Sequence, residues 1–318
     1  MQAPTAAEFD AVQRTVYAAM PATPQYAWPL LAEALGAEVW VKHENHTPLG
    51  AFKVRGGLVY MKALREREPQ VRGVVSATRG NHGQSMAFAA QRHGLSATVV
   101  VPHGNSVEKN AAMRALGAEL IEHGDDFQAS REHAASLATQ RGLHFVPSYH
   151  ADLVLGVATY WVEFFRTVQP DVVFVPIGMG SGISACATAR AITGVTTRIV
   201  GVVSAHATAY LDSFRAGRVV EAPTTTQLAD GMACRLPDAA ALDVIRREAD
   251  DVVAVTDAEV AAAMRLLYTA THNVAEGAGA ASLAAVMQQR QRWQGKRIGV
   301  TLCGGNVDRD VFARVLAG

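Results

Sequence analysis

Val172-Val-Phe-Val-Pro-Ile-Gly178-Met-Gly180-Ser-Gly182-Ile183 holds three kinds of residue in a telling order. A β-branched apolar run comes first, a glycine-rich loop follows, and an Ala-rich helical pattern begins near residue 182. Five residues with no polar partner read as a strand buried on both faces, which is the habit of parallel sheets. The pattern repeats outward. Strands are predicted at 38–42, 73–77, 97–101, 119–122, 144–146, 172–176, 198–203, 251–255 and 297–302. Helices are predicted at 53–66, 81–93, 107–116, 126–141, 153–168, 182–193, 257–272, 277–290 and 307–316. Strand–helix alternation of this kind implies an α/β fold with helices on both faces of parallel sheets, and the length suits two sheets better than one. Asp125 and Thr256 read as N-caps, and Gly94, Gly117 and Gly142 as glycines that end helices.

Composition narrows the function. Of 318 residues, 29 are Lys or Arg and 29 are Asp or Glu, so no global charge draws the chain to nucleic acid or to an anionic membrane. Cys186, Cys234 and Cys303 form no C-x-x-C pair and cannot build a disulfide framework. No apolar run approaches the ~20 residues that span a bilayer, and no basic-then-apolar leader opens the chain. The expected compartment is the cytoplasm.

Four segments carry chemistry. In Lys42-His-Glu-Asn-His-Thr-Pro-Leu-Gly-Ala-Phe-Lys53-Val-Arg55-Gly-Gly57, Lys53 follows an apolar pair at a helix start. Such a lysine can have its pKa lowered and act as an amine nucleophile, although a lone lysine is more often a solvated one. His43 and His46 flank Glu44, but no further ligand pair follows them. Ser76-Ala-Thr-Arg-Gly-Asn-His-Gly-Gln84 is a strand-to-helix turn whose N–H groups favour a carboxylate or phosphate. The glycine loop at 178–182 is a phosphate cradle by the same physics. As a dinucleotide fingerprint it is weak, because the next strand ends Val202-Val203-Ser204-Ala205 without the ribose-binding acid. It is neither a Walker A loop nor a nucleophile elbow. Leu302-Cys303-Gly304-Gly305-Asn306-Val307-Asp308 places a thiol at a strand end, where the plain reading is a core cysteine. Taken together, a lysine amine, a carboxylate turn and a phosphate cradle are what pyridoxal 5′-phosphate requires.

With these motifs in this order, and with Ala229-Asp-Gly231 and Glu276-Gly-Ala-Gly-Ala280 between them, the sequence resembles the fold-type II pyridoxal-phosphate enzymes. Within them it is similar to the threonine/serine dehydratase and serine racemase group, phenylserine dehydratases included. The resemblance runs from about residue 20 to 310. It implies two αβα domains of the tryptophan synthase β-like architecture: 1–69 plus 150–318 as the large cofactor domain, and 70–149 as a small inserted one. It implies that Lys53 bonds the cofactor covalently and later removes the substrate Cα proton. Phe52 then packs near the pyridine ring, Asn81 bonds the 3′-oxygen, and Gly178, Met179, Gly180, Ser181 and Gly182 hold the phosphate. Cys303 faces the pyridine nitrogen and leaves it unprotonated, which favours elimination. Thr78, Arg79, Gly80, Asn81 and His82 cradle the substrate carboxylate. The implied reaction removes water from serine, threonine or phenylserine, giving a 2-oxo acid and ammonia; a homodimer is the implied assembly.

The chain departs from the family pattern in several places. Ala51 replaces a serine, and Met179 and Ser181 interrupt the usual run of glycines. Arg79 stands where serine racemases carry a serine that works on the opposite face of the substrate, which speaks against racemisation. The racemases' divalent-cation ligands fall near Ser204, Thr208 and Tyr210, where no carboxylate remains. A monovalent ion held by carbonyls and Ser204, near Thr208, is left open. Ala51 and Ser148-Tyr149 are expected to reshape the pocket. Only about ten residues follow Asp308, so an unregulated, catabolic form, unresponsive to isoleucine, is expected. The rival readings are a non-catalytic amino-acid-binding protein on the same scaffold and a nicotinamide oxidoreductase.

Overall fold

The computed structural model describes residues 4–318. Its ten strands are β1 (Gln25–Ala27), β2 (Glu38–His43), β3 (Gly73–Ala77), β4 (Ser96–Val101), β5 (Glu119–Glu122), β6 (His144–Phe145), β7 (Val172–Pro176), β8 (Arg198–Ser204), β9 (Asp251–Val255) and β10 (Arg297–Leu302). They form two sheets, a six-stranded one in the order β1-β2-β10-β7-β8-β9 and a four-stranded one in the order β5-β4-β3-β6. All pairings are parallel except β1 with β2. Helices cover both sheets, so the two-sheet α/β expectation holds. All nine predicted strands are present to within a residue at either end. The sequence reading missed β1 and the helices Ala6–Tyr17, Pro29–Leu35, Ala209–Ala216 and Ala239–Glu248.

Local chemistry explains the boundaries. Thr256 and Glu259 form a reciprocal capping box at the helix Asp257–Thr271. The cap before Phe127–Arg141 is Asp126 rather than Asp125: its carboxylate accepts from the Ala129 N–H at 2.8 Å. Gly142 adopts a left-handed φ of 63° and ends that helix.

The helix Lys53–Arg67 starts at the site and is held rigidly behind it. A Cβ on Gly56 would lie 2.8 Å from the Leu153 carbonyl oxygen, and one on Gly156 would lie 2.3 Å from that of Arg55. The backbones of this helix and of Ala151–Thr167 therefore touch, which only glycine permits. Beneath the contact lies a buried ionic cluster. Arg55 is 0% exposed; its Nε donates to Glu44 Oε2 at 2.8 Å and its guanidinium to Glu163 Oε1 at 2.6 Å. Lys42 Nζ donates to the other Glu163 oxygen at 2.6 Å. Against the cost of burial, the two carboxylates hold Arg55 further into its charged form. The cluster also absorbs Glu44 and leaves it no role as a ligand beside His43, whose ring accepts from Trp28 Nε1 at 3.1 Å.

Candidate active site

β7 and β10 lie side by side and parallel in the larger sheet, so their carboxyl ends open together. Ligands in open α/β sheets bind at such an edge. Facing it is the turn after β3 in the smaller sheet. Between them lies a cleft of about 850 Å³. The residues expected to bind cofactor and substrate all line it: Phe52, Lys53, the turn from Thr78 to His82, the loop from Gly178 to Gly182, and Cys303.

Lys53 reaches this floor because two contacts tether its neighbours to the end of β10. Ala51 makes an antiparallel bridge with Gly304, and the Phe52 N–H donates to the Cys303 carbonyl at 3.0 Å. Lys53 Nζ donates to Ser181 Oγ at 3.1 Å and lies 5.0 Å from the Phe52 ring centroid. Burial lowers its pKa to about 8, against the pull of Cys303 and Glu276. Burial also pushes the Cys303 thiol up, as does the Glu276 carboxylate, so the thiol stays neutral.

The glycine loop ends at Gly180, the N-cap of the helix Ser181–Thr193. Its φ is 91°, and it offers no side-chain cap, so the first-turn N–H groups remain for a ligand. Met179 avoids positive φ, so the loop accommodates it without left-handed strain. Across the cleft, Gly80 (φ 145°) precedes the helix Asn81–Arg92, again without a side-chain cap at its N-cap. Thr78 Oγ1 accepts from the Gly80 N–H at 2.9 Å and shapes the turn. His82 is buried with Nε2 unpartnered; burial and then Lys53 lower its pKa to about 3.

Asn81 is fixed at both ends of its amide. Its Nδ2 donates to Glu276 Oε1 at 2.6 Å, and its Oδ1 accepts from Asn306 Nδ2 at 2.9 Å. Glu276 Oε2 lies 3.0 Å from Lys109 Nζ, which donates to Asp230 Oδ2 at 2.8 Å. Burial opposes the charge on Lys109, but Glu276 and Asp230 keep the ammonium protonated. Motif reading quoted the segments of Glu276 and Asp230 without a role for either, and it missed Lys109 and Phe127, which line the cleft from the smaller sheet's helices. Cys234, left undecided between core and surface, is buried and also lines the cleft.

Two expectations about the surroundings need correction. Ala51 and Tyr149 are not in the cleft wall: Ala51 is buried at its bridge to Gly304, and the Tyr149 hydroxyl donates to Ser184 Oγ at 3.1 Å. Ser148 does line it. Beside Thr208, a carboxylate is present after all, because Thr208 Oγ1 donates to Asp212 Oδ2 at 2.7 Å. Ser204 Oγ accepts from the His206 N–H at 3.1 Å. Among the described residues, no three His, Cys, Asp or Glu side chains gather as a metal site.

Two parallel sheets with a buried amine and a glycine cradle between them define a class, and comparison with known proteins gives it a name. The family of pyridoxal-phosphate dependent enzymes matches residues 17–304, and the chain belongs to that family. It is 33% identical to the L-threonine ammonia-lyase of Thermotoga maritima over 90% of this chain and 72% of that one. It is 30% identical to the L-threo-3-hydroxyaspartate ammonia-lyase of Saccharomyces cerevisiae, over 93% and 91%. The structure of maize serine racemase superposes with a TM-score of 0.90 at 26% identity, covering 99% of this chain and 98% of the other.

Family membership implies pyridoxal phosphate, and the residues present fit it. A primary amine with a lowered pKa lies 3.1 Å from a hydroxyl at an uncapped helix N-terminus, as an aldehyde bearing a phosphate needs. A Cβ on Gly178 would lie 2.3 Å from the Gly231 carbonyl oxygen, so the cradle's shape depends on glycine there.

Proposed function

We propose that the protein removes water from a 3-hydroxy amino acid of the serine or threonine type and releases a 2-oxo acid and ammonia. The observation that carries this reading is the Lys53 amine, 3.1 Å from Ser181 Oγ in a cleft that also holds the turn from Thr78 to His82, where Thr78 Oγ1 takes the Gly80 and Gly83 N–H groups and leaves those of Asn81 and His82 for a carboxylate. The names of the two ammonia-lyase relatives point the same way, since threonine and 3-hydroxyaspartate share a hydroxyl on Cβ.

Bound pyridoxal phosphate would supply the electron sink that makes the Cα proton acidic. The chain's own residues do the rest. The turn Thr78 to His82 would hold the substrate carboxylate on the Asn81 and His82 N–H groups, which Thr78 Oγ1 leaves free. Lys53, with a pKa of about 8, takes the Cα proton at Nζ. Ser181 and the N–H groups after Gly180 hold the phosphate. Asn81, kept in one orientation by Glu276 and Asn306, has one N–H left that would bond the 3′-oxygen. Phe52 and the neutral Cys303 thiol, both in the cleft wall, would hold the ring and its nitrogen. We place residues 70–149 as the small domain, whose approach to the large one would exclude water.

Racemisation is the second reading, favoured by the likeness to maize serine racemase. It needs a second base on the far face of the substrate. Arg79 offers N–H donors and no acceptor there, so elimination takes precedence. Phenylserine is the bulkier candidate substrate, and Ser148 is the one residue of its expected pocket that lines the cleft. Any cation near Ser204 and Thr208 would meet hydroxyls and Asp212. We also propose a cytoplasmic homodimer. Tyr26 and Leu30, 50% and 53% exposed at the outer edge of the larger sheet, support a partner copy there. No described helix is long and apolar enough to cross a membrane.

The test is 2-oxo acid release from L-serine, L-threonine and L-threo-phenylserine by the cofactor-loaded protein, with Lys53→Ala beside it. Turnover by the wild type and none by the variant, with no borohydride-stable label left on the variant, is expected. A colourless wild type with no product would favour the amino-acid-binding rival.

A further inference from the structure

Most charges around the cleft answer one another. Lys109 lies between Asp230 and Glu276. Arg79 does not: it makes no ion pair or side-chain hydrogen bond among the described residues, and its Nε is buried without a partner. An unsatisfied guanidinium donor at this depth is costly unless something else meets it.

Its surroundings show what that is. Arg79 lines the cleft and also a recess that opens beside it; the two share Phe127, Met179, Ala233 and Cys234. Asp126 is the sole acid lining the recess, and both its oxygens are engaged: one caps the Ala129 N–H at 2.8 Å and the other lies 3.0 Å from Arg235. Arg131, also in the wall, has no acidic partner among the described residues. The recess is therefore cationic at a point reached from the cleft. With the substrate's α-carboxylate on the turn at 78–82 and its Cα over Lys53, the recess is where a group on Cβ can extend.

We propose that Arg79 is a specificity residue that receives an anionic group on the substrate's Cβ, so that the preferred substrates are 3-hydroxy amino acids with a second carboxylate. This rests on the reading of the cleft as an amino-acid site. The planar guanidinium suits a carboxylate, with two N–H groups meeting two oxygens.

The test compares L-aspartate with L-asparagine on the holoenzyme by titration calorimetry. The two have nearly the same shape, differ in charge, and carry no β-hydroxyl to lose. Wild type should bind L-aspartate more tightly by about ten- to a hundredfold. Arg79→Gln should erase the preference, and Arg79→Lys should keep part of it. In parallel, the kcat/KM ratio for 3-hydroxyaspartate over serine should fall at least about tenfold in Arg79→Gln. Equal binding of the two ligands by wild type overturns the proposal. So does tighter binding of L-phenylalanine, which would make the recess an apolar pocket of Phe127 and Met179. Equal weakening of both ligands in Arg79→Gln would assign the guanidinium to the α-carboxylate, and loss of cofactor would assign it to the phosphate; either overturns it. An aspartate preference without oxo acid from any 3-hydroxy amino acid would uphold Arg79's role and remove only the elimination reading.

Discussion

Lys109 Nζ lies 3.0 Å from Glu276 Oε2, and the two residues come from opposite sides of the cleft. Lys109 belongs to a helix of the smaller sheet's layer, Val107–Ala115; Glu276 precedes Gly277–Gln288 over the larger sheet. The pair is a buried charge contact between the two layers, and through Asn81 it touches the wall of the cleft.

Lys109→Met removes the cation and leaves Glu276, 2% exposed, without its counter-charge. Stability should fall by about 3–5 kcal/mol, read as a lower urea midpoint. Adding Glu276→Gln should recover part of the loss. An unchanged midpoint in the single variant would mean that the contact contributes nothing to holding the layers together.

Only the neutral form of Lys53 can attack an aldehyde. With its pKa lowered by burial to about 8, capture of pyridoxal phosphate by apoprotein should quicken about tenfold per pH unit below 8 and level off above it. Stopped-flow absorbance follows the step. A rate still climbing toward the ordinary lysine value of 10.5 would show a solvated amine instead.

At Gly178, an added Cβ would meet the Gly231 carbonyl oxygen at 2.3 Å, whereas at Gly182 nothing lies nearer than 3.8 Å. Gly178→Ala should displace the loop and weaken cofactor retention by about tenfold or more, measured by dialysis and residual absorbance. Gly182→Ala should leave the melting temperature of the apoprotein unchanged. Equal retention by Gly178→Ala would show that the loop's path does not set phosphate affinity.

What the chain disclosed before folding follows from the range of each interaction. β7 and its glycine loop were legible because buried β-branched residues and a tight turn leave local signatures. β1 was not: three residues, paired antiparallel at an edge, carry no apolar run of their own. Asp125 and Asp126 are adjacent acids, and only the helix's starting phase decides which one caps. Lys53 and the loops could be named from motifs, but Lys109 meets Asp230 and Glu276 across 121 and 167 positions of the numbering, and no local pattern records it. Ala51 and Tyr149 show the reverse error. Their motif neighbours line the cleft, but their own side chains face the β10 bridge and the helix at Ser184.

The two walls of the cleft come from different sheets. Lys53, Ser181 and Cys303 hang from the six-stranded sheet, while Arg79, Asn81, His82 and Phe127 hang from the four-stranded one. The turn after β3 and the helix that begins at Phe127 can therefore be altered without touching the segments that carry Lys53, Ser181 and Cys303, so one wall is open to redesign while the other stays as it is.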